Sequence, residues 1–494
     1  MGEARSSLSA FGLRLSPGER AAASSTMMRA PIFSSEPTIS IGLLTDVEQV
    51  RFTIAEEFRT SDGMPIPPGR YRATPHLHAS GIELRDAQER LVGIAATFSL
   101  IPVAPKKAKF ILEDVPVGTG FHWEQKQSQS YAGTLMIRIA PSAPEAPPRL
   151  MVINEIPAEA YLESVISSEM SARAPVEFLK AHAIISRSWL LASLAHRADE
   201  GESPSPSSER ELSKTSDLEI RRWTSRTAHR AFDVCADDHC QRYYGLAPVT
   251  SDVVSAAVAA TRGRVLTFNG HICDARFSKC CGGATEAYRS AWEDRDVPYL
   301  QGGRFDGVEW PASFPRPLTL EAHAVAWITG FPPAYCHTTD PRVLEDILPE
   351  IDRPTRDFFR WERTLEQEEL QALVEARLGL ELGAIRRLEP LERGASSRIV
   401  RLRIVGERGS VIVGKELEIR RVLSWTHLYS SAFIVLPEEV RQGIPRRFRL
   451  RGAGWGHGVG LCQIGAAVMA RQGRTHREIL AHYYAPAEIA LAYE

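Results

Sequence analysis

Two amphipathic helical segments, separated by a short polar break, occupy residues 154–197 and constrain the fold more than any other feature. Pro157 suits the first turn of one helix and Pro175 that of the other. Apolar residues recur at three- and four-residue steps: Ile156, Leu162, Val165 and Ile166, then Val176, Leu179, Ala183, Ser186, Leu190 and Leu194. Glu169 falls at the end of the first helix. A carboxylate held there by two rigid elements is a candidate acid/base, although a solvated glutamate is the commoner case.

The residues around this break resemble a known family signature. Glu169-Met170, a loop, and then Leu179-Lys180-Ala181-x-Ala183-x-x-x-Arg187-Ser188 are similar to the SpoIID/LytB family, the stage II sporulation protein D type lytic transglycosylases of bacterial peptidoglycan. Family members usually have Glu-Met-Pro and a Gln before the second Ala, where this chain has Ser171 and His182. The resemblance implies that Glu169 is the catalytic acid/base and that Arg187 belongs to the substrate-binding residues.

Composition narrows the function classes. The formal net charge of the 494 residues is -2 and no basic face is evident, which argues against nucleic acid as a partner. No apolar run reaches the roughly 18 residues of a membrane span, and the longest, residues 91–105, is expected to form buried strands. Residues 1–36 lack the apolar core of a signal peptide and are expected to be disordered. The family resemblance nevertheless implies a location in the cell envelope, outside the cytoplasm.

The order of predicted elements gives an α+β, β-rich fold, with two central helices packed on sheets. Turn residues and alternating apolar residues predict a β-rich N-terminal region over residues 37–150. A SpoIID-like catalytic region follows over 151–494. It is interrupted by a Ser/Pro/Glu-rich insertion at about 199–217 and by an accessory α/β segment at about 297–425. In that segment residues 364–382 are predicted to be helical, followed by a hairpin of strands at 398–405 and 410–413.

Two imidazoles and two thiols lie within twelve residues in His229-x5-Cys235-x3-His239-Cys240. These are ligand types of tetrahedral zinc, but adjacent side chains such as His239 and Cys240 diverge unless the backbone turns sharply. A small disulfide or buried thiols would also fit. Some SpoIID members carry zinc on a His, a Cys and a His-Cys pair, so the resemblance implies a structural zinc on these four residues. Cys280 or Cys281 is a further possible ligand.

A strand is expected at residues 270–278, running into Lys279-Cys280-Cys281-Gly282-Gly283-Ala284-Thr285. The family usually has Ser-Ser-Gly-Gly-x-Thr here, lining the glycan cleft. This chain keeps Ser278, Gly282, Gly283 and Thr285, which the resemblance makes substrate-binding residues. Paired glycines allow a ligand to approach the backbone closely, but a simple hairpin turn needs them equally.

The most specific motif lies near the C-terminus, in Gly-Trp-Gly-His-Gly-Val-Gly-x-x-Gln-x-Gly-Ala over residues 454–466. In an extended strand its glycines would lie on one face, with Trp455 and His457 on the other. Such a pattern alone is more often packing than function. Its match to the SpoIID/LytB family implies that substrate is bound by Gly454, Trp455, Gly456, His457 and Gln463. A capping box at Thr475 then predicts a helix that ends near Tyr484.

The resemblance implies cleavage of the MurNAc–GlcNAc linkage in glycan strands without stem peptides. One carboxyl group suffices: Glu169 protonates the glycosidic oxygen, then takes the proton of the muramyl 6-hydroxyl, which closes a 1,6-anhydro ring. Glu169 must start protonated, so an apolar surround from Met170 and Trp455 is expected. Two alternatives remain, namely a non-catalytic glycan-binding or amidase-enhancing envelope protein and a zinc hydrolase. Expected partners are glycan strands and a cell-wall amidase or other envelope proteins.

Overall fold

The computed structural model describes residues 32–76, 81–118, 125–141, 146–200, 218–223, 229–237, 239–246 and 251–494, with the backbone alone for 196–200. The predicted disorder of residues 1–36 and the insertion at 199–217 therefore lie almost wholly outside the described residues. The part of the N-terminal segment that is described packs on the rest of the chain. The Phe33 N–H donates to the carbonyl of Ala492, and the Glu36 carboxylate accepts the N–H of Glu159.

Strands dominate the chain before the first central helix, which confirms the β-rich prediction. They are β1 (Thr38–Val47), β2 (Val50–Ile54), β3 (Phe58–Thr60), β4 (Pro65–Ile66), β5 (Gly69–His76), β6 (Gly81–Asp86), β7 (Leu91–Ala95), β8 (Thr97–Pro102), β9 (Phe110–Val117), β10 (Gln125–Tyr131), β11 (Thr134–Ile139) and β12 (Leu150–Pro157). The apolar run at 91–105 forms strands as expected. Its first strand, β7, is not buried, since Leu91 and Ile94 are about half exposed.

The two central helices are α1 (Ala158–Glu169) and α2 (Val176–Glu200). Helix α1 follows β12 directly, with Pro157 as its N-cap residue. Ile156 therefore belongs to the strand rather than to the apolar stripe of the helix. The fixed φ of proline suits this change from extended to helical backbone. Glu169 is the last residue of α1, as the sequence predicts.

The remaining elements alternate between helix and strand. They are β13 (Leu218–Arg221), β14 (Val234–Cys235), α3 (Asp252–Ala260), β15 (Arg264–Phe268), β16 (His271–Ile272), β17 (Phe277–Ser278), α4 (Glu321–Thr329), α5 (Pro341–Ile347), β18 (Arg360–Glu366), α6 (Gln367–Leu378), β19 (Ile385–Arg393), β20 (Ile399–Gly406), β21 (Ser410–Gly414), α7 (Glu416–Val422), β22 (Phe433–Glu438), β23 (Arg447–Ala453), β24 (Leu461–Cys462), α8 (Gln463–Arg471), α9 (His476–Tyr484) and β25 (Glu488–Leu491). The accessory helix α6 is shorter than the predicted 364–382, because residues 364–366 belong to β18, and the β20–β21 hairpin is as predicted. The single strand expected at 270–278 is instead two short strands, and β19 has no counterpart in the sequence prediction.

The described strands form two large sheets in the N-terminal region and smaller ones beyond it. One large sheet has the order β14-β1-β12-β11-β8-β3-β4 and the other β10-β9-β2-β5-β6-β7. Apolar side chains of both sheets share a core with α1, including Leu162 and Val165. The α+β, β-rich fold is thus confirmed, with the central helices against sheets. Among the described helices, none combines the length and the apolar character that crossing a bilayer requires.

The glycine-rich motif is not the extended strand that the alternation predicts. Strand β23 ends at Ala453, and the backbone then has positive φ at Gly454, Gly456, Gly458 and Gly460 (81°, 93°, 75° and 74°). Left-handed φ at every second residue turns the chain repeatedly, and glycine adopts such values at little cost. The alternation in sequence therefore encodes a series of turns. These turns lead into β24, which pairs in parallel with β17.

Candidate active site

Glu169 lies at the junction of α1, the glycine-rich motif and the loop that follows Cys240. Its side chain is buried, with 8% of the residue exposed. One carboxylate oxygen, Oε1, accepts the backbone N–H of Arg242 at 3.1 Å. The other, Oε2, accepts the side-chain amide of Gln463 at 3.3 Å. Glu169 is therefore a buried, hydrogen-bonded carboxylate and not a solvated residue at a helix end.

Gln463 is held in turn by His182. The Gln463 amide nitrogen lies 3.1 Å from Nε2 of His182, a fully buried ring packed between Phe178 and Phe277. Burial, with a smaller effect of Lys279, lowers the pKa of His182 to about 3. The imidazole is therefore neutral and can accept a hydrogen bond. The two amide hydrogens of Gln463 are thus directed at His182 and at Glu169, which fixes the side chain of Gln463.

The sequence alone assigns no role to three residues that lie at this site: Lys279, Asp352 and Arg242. Lys279 donates to the backbone carbonyl of Glu169 at 2.7 Å and pairs with the Asp352 carboxylate at 2.8 Å. The Arg242 guanidinium lies 3.1 Å from the same carboxylate. Burial opposes ionisation of Asp352, but the positive charges of Lys279 and Arg242 outweigh it and lower its pKa. A cation at the end of α1 also complements the helix dipole there.

The surround of the Glu169 carboxylate is polar, which corrects the apolar surround expected from the sequence. Met170 is fully buried, but its sulfur faces the ammonium group of Lys279 at 3.5 Å. Trp455 packs edge-on against Tyr429, and its backbone pairs with that of Cys280. The hydrogen-bond partners of the carboxylate are a backbone N–H and an amide. Such donors stabilise a carboxylate once it has lost its proton.

The exposed part of the glycine-rich motif is the run Trp455, Gly456 and His457, all of which are partly accessible. His457 packs edge-on against Trp292, and its Nδ1 accepts the N–H of Val459 at 3.0 Å. Burial, followed by nearby arginine charges, lowers the pKa of His457 well below its usual value. In the neutral ring the proton is then on Nε2, and the ring also hydrogen-bonds the backbone of Phe277.

Other residues assigned to substrate binding lie deeper. A Cβ added at Gly282 would meet the backbone of Gly454 at 3.0 Å, and one at Gly283 the ring of Trp327 at 2.9 Å. Thr285 is buried and hydrogen-bonds Arg304 through its backbone and its hydroxyl. These close contacts favour the turn interpretation of the paired glycines. Ser278 differs, because its buried hydroxyl has no hydrogen-bond partner among the described residues.

Arg187 is fully buried and pairs with Glu159 through two hydrogen bonds of 2.9 and 2.6 Å. It also donates to the carbonyl of Arg264 at 2.9 Å. The pair joins α1 to α2, and a guanidinium with 0% exposure has no free surface for a ligand. The geometry therefore favours a structural role over the substrate contact that the resemblance implies.

The four candidate metal ligands come together. One ligand atom from each of His229, Cys235, His239 and Cys240 lies within 4.8 Å of all the others. Nδ1 of His239 is 3.0 Å from Nε2 of His229, 3.7 Å from the Cys235 sulfur and 3.3 Å from the Cys240 sulfur. The Cys240 N–H donates to the carbonyl of Asp237. This turn supplies the sharp bend that adjacent ligands need.

The loop that holds the four candidate metal ligands also contacts Glu169. Strand β14 carries Cys235 and pairs with β1 through Ile41 and Gly42. Two residues after Cys240, the N–H of Arg242 binds the Glu169 carboxylate. An ion on the four ligands would therefore fix the position of a donor to Glu169. Neither Cys280 nor Cys281 is a member of this group, which answers the question left open by the sequence.

One cavity lies away from Glu169. A volume of about 810 Å³ is lined by residues that include Arg221, Tyr288, Arg295 and Arg393. It borders the accessory segment and includes none of the residues that contact the Glu169 carboxylate. The candidate site is thus defined by its hydrogen bonds rather than by a deep pocket.

Two segments match known families. Residues 148–268 match the family described as Stage II sporulation protein, and residues 286–460 match a Domain of unknown function (DUF8618). The chain is 24% identical over 344 residues to Stage II sporulation protein D of Bacillus amyloliquefaciens, covering 69% of this chain and 76% of that protein. It is 23% identical to Stage II sporulation protein D of Bacillus subtilis (strain 168) with the same coverage.

A third match is to the Amidase enhancer of Bacillus subtilis (strain 168), which is 23% identical over 239 residues. This match covers 46% of the chain and 31% of that protein. The resemblance stated from the motifs is therefore confirmed. The chain carries a SpoIID family domain and is homologous to SpoIID and amidase enhancer proteins.

Proposed function

We propose that the chain is a peptidoglycan lytic transglycosylase that cleaves the MurNAc–GlcNAc linkage of glycan strands lacking stem peptides and forms 1,6-anhydro-MurNAc. Glu169 is the general acid/base. The observation that carries the proposal is the 3.3 Å hydrogen bond from Gln463 to the Glu169 carboxylate. It joins the two motifs that resemble the family most, although 293 residues separate them in the chain.

The hydrogen bonds at Glu169 suit an acid that becomes a base. Protonated Glu169 donates its proton to the glycosidic oxygen as the bond to the anomeric carbon breaks. The Arg242 N–H and the Gln463 amide then stabilise the carboxylate, each using one lone pair and leaving others free. The carboxylate next accepts the proton of the muramyl 6-hydroxyl. That oxygen bonds to the anomeric carbon and closes the anhydro ring, so no water and no second carboxylate take part.

The glycan would contact the accessible run Trp455, Gly456 and His457. The partly accessible rings of Trp455 and His457 offer flat faces against which a sugar ring can pack. Ser278 lies next to Gly456, with its Cβ 3.1 Å from where a Gly456 side chain would begin. Its unpartnered hydroxyl is a further candidate contact. Gly282, Gly283, Gly454 and Thr285 would shape the cleft through their turns.

We also propose that His229, Cys235, His239 and Cys240 bind zinc. Nδ1 of His239 lies 3.0–3.7 Å from one nitrogen and two sulfurs, which matches three edges of a tetrahedron with bonds of about 2.0–2.3 Å, and the other ligand atoms lie within 4.8 Å of one another. Four protein ligands leave no open position, so the ion would be structural. This closed ligand set disfavours the zinc hydrolase alternative. The ion would affect the reaction at Glu169 only by fixing the loop that carries the Arg242 N–H.

The similarity to sporulation and amidase enhancer proteins supports a role in the cell wall and a location in the cell envelope. Glycan strands would be the main partner, and a cell-wall amidase or another envelope protein a second one. The alternative of a non-catalytic amidase enhancer rests on the third homologue. Under this alternative the chain would keep its fold and its glycan contacts, but it would not need the Glu169 proton.

Glu169→Gln tests the proposal. The variant keeps the shape of the side chain, and its one carbonyl oxygen can still accept the Arg242 N–H. Its amide nitrogen then faces the amide nitrogen of Gln463, and it cannot transfer a proton. General acid–base catalysis contributes about 10²–10⁴-fold, and losing both roles should reach the upper end. Mass spectrometry of products from stem-peptide-free glycan should show anhydro sugars with the parent protein and almost none with the variant, while glycan binding persists.

Glu163→Gln is the matched control, since Glu163 is half-buried on the same helix and bonds Ser255, which glutamine can also do. It should remain active. Cleavage by Glu169→Gln within a few-fold of the parent would refute the catalytic assignment. If neither parent nor variant cleaves, yet both stimulate a cell-wall amidase equally, the amidase enhancer alternative is correct.

A further inference from the structure

A second group of metal-ligand side chains lies in the interior, outside the candidate active site. Cys281, Asp306, Cys336 and Cys462 each place one sulfur or carboxylate oxygen within 4.8 Å of all the others. All four are buried, with exposures of 0–2%. They come from four separate segments, so no spacing in the sequence connects them. We name them the interior thiol group.

We propose that the interior thiol group binds a second zinc ion, with a structural role. In a tetrahedral zinc–thiolate site, bonds of about 2.3 Å place two sulfurs about 3.8 Å apart. The sulfurs of Cys281 and Cys336 are 3.8 Å apart. A disulfide would need about 2.05 Å. The separation therefore matches two ligands of one ion rather than a covalent bond.

The carboxylate of Asp306 points to the same conclusion. A buried carboxylate without a balancing charge is costly, and this one shares its surroundings with three thiols. It is oriented by the Cys336 N–H at 2.9 Å on one oxygen and by the Tyr483 hydroxyl on the other. The Cys462 sulfur accepts the N–H of Cys281 at 3.3 Å. Metal ligands are commonly held by such hydrogen bonds from behind.

Two guanidinium groups balance the charge. Three thiolates, one carboxylate and a divalent ion leave two net negative charges, which an interior can hold only beside cations. Arg398 donates to the carbonyl of Cys281 at 3.1 Å, and Arg360 to that of Gly282 at 3.2 Å. Within the described ranges neither arginine is paired with a carboxylate. Their charges are therefore available to offset the site.

The position of the group explains what the ion would do. Cys462 precedes Gln463, which binds Glu169, and Cys281 lies two residues after Lys279. Asp306 and Cys336 belong to the segment that matches the domain of unknown function. The ion would therefore fasten that segment to the two motifs around Glu169. With four protein ligands it would leave no open coordination position.

Elemental analysis of the full chain, purified without added metal, tests the inference. The parent should contain two zinc equivalents, Cys240→Ser one, and Cys336→Ser one. Cys273→Ser is the matched control, because Cys273 is equally buried but belongs to neither group, and it should keep both. The zinc contents of the parent and of Cys240→Ser do not depend on whether Cys336→Ser folds. Cys336→Asp, which retains an oxygen ligand, provides a second variant.

Cobalt substitution and thiol counting identify the site. In Cys240→Ser loaded with cobalt, thiolate-to-cobalt absorption should persist, and it should weaken in the further variant Cys336→Asp. The denatured parent should react with a thiol reagent at all seven cysteines. A parent with one zinc equivalent that Cys240→Ser removes would overturn the inference. So would iron in place of zinc, or two fewer reactive thiols, which would indicate a disulfide.

Discussion

The buried pair of Arg187 and Glu159 allows a sharp test of how the central helices are held together. Replacing Arg187 with methionine keeps an unbranched, somewhat shorter side chain but removes both hydrogen bonds to Glu159 and the one to the Arg264 carbonyl. Glu159 keeps the N–H of Gly263 and the hydroxyl of Tyr493, but no cation. Leaving one buried charge of a pair without its partner typically costs about 3–5 kcal/mol. We expect this loss in the free energy of unfolding.

Urea unfolding followed by circular dichroism measures the effect, and Lys180→Met is the control. Lys180 lies on the same helix and pairs with Glu177, but both side chains are about a quarter exposed. Removing that pair should cost less than about 1 kcal/mol. Arg187→Met combined with Glu159→Met should be less destabilising than the sum of the two changes, because neither charge is left alone. If Arg187→Met unfolds like Lys180→Met but loses glycan binding, Arg187 is a substrate contact and our reasoning is wrong.

Three further predictions follow from the same geometry. Burial opposes ionisation of Glu159, but Arg187 and other donors outweigh this effect and lower its pKa below 4.5. The contribution of the pair to stability is therefore complete above pH 4.5 and is lost as the pH falls below it. In urea titrations, the stability advantage of the parent over Glu159→Gln should shrink over the same range. Gly456→Val should lower the melting temperature more than Gly473→Val. Both glycines have positive φ, but only at Gly456 would the added Cβ meet Ser278. An unchanged melting temperature of Gly456→Val would contradict this. Cys240→Ser should lose one zinc equivalent and slow glycan cleavage, whereas Cys273→Ser should do neither.

Local signals in the sequence predict the helices but not their partners. The periodicity of residues 158–169 and the capping box at Thr475 correspond to real helices, because both depend on neighbours along the chain. Lys279 and Asp352 have no such signal. Lys279 binds the carbonyl of Glu169 across 110 positions of the chain and pairs with Asp352 across 73, and only the folded chain brings them together. Glu159 lies on the same helix as Glu169, and no local pattern indicates that it forms a buried pair with Arg187.

The glycine-rich motif shows why a correct pattern can predict the wrong backbone. Alternation with period two is expected for a strand, but the same alternation arises where every second residue has a positive φ. The extended strand and the series of turns differ in the φ values of the glycines, and a sequence of alternating glycines does not specify φ. The thiols illustrate a related limit. The side chains of adjacent Cys280 and Cys281 both interact with those of Cys336 and Cys462, which lie far along the chain and share no spacing motif with them.

The last prediction concerns His182, where the family usually has glutamine. The ring accepts a hydrogen bond from Gln463, so it orients the amide that binds Glu169. His182→Gln supplies a carbonyl oxygen that can accept the same bond, and cleavage should stay within a few-fold of the parent. His182→Leu fills similar space but leaves a buried amide hydrogen unpaired, which costs about 1–3 kcal/mol, and its cleavage should fall well below that of His182→Gln.

The pH dependence separates this positioning role from a role in proton transfer. Burial lowers the pKa of His182 from 6.5 to about 3. Between these pH values the histidine is neutral in the folded protein but protonated in the unfolded chain. Its contribution to stability is therefore full above pH 6.5 and is lost as pH falls toward 3. His182→Gln should accordingly be more resistant to acid than the parent, with the same dependence of cleavage on pH near neutrality. If that dependence changes in His182→Gln, the histidine itself takes part in proton transfer and the positioning role is refuted.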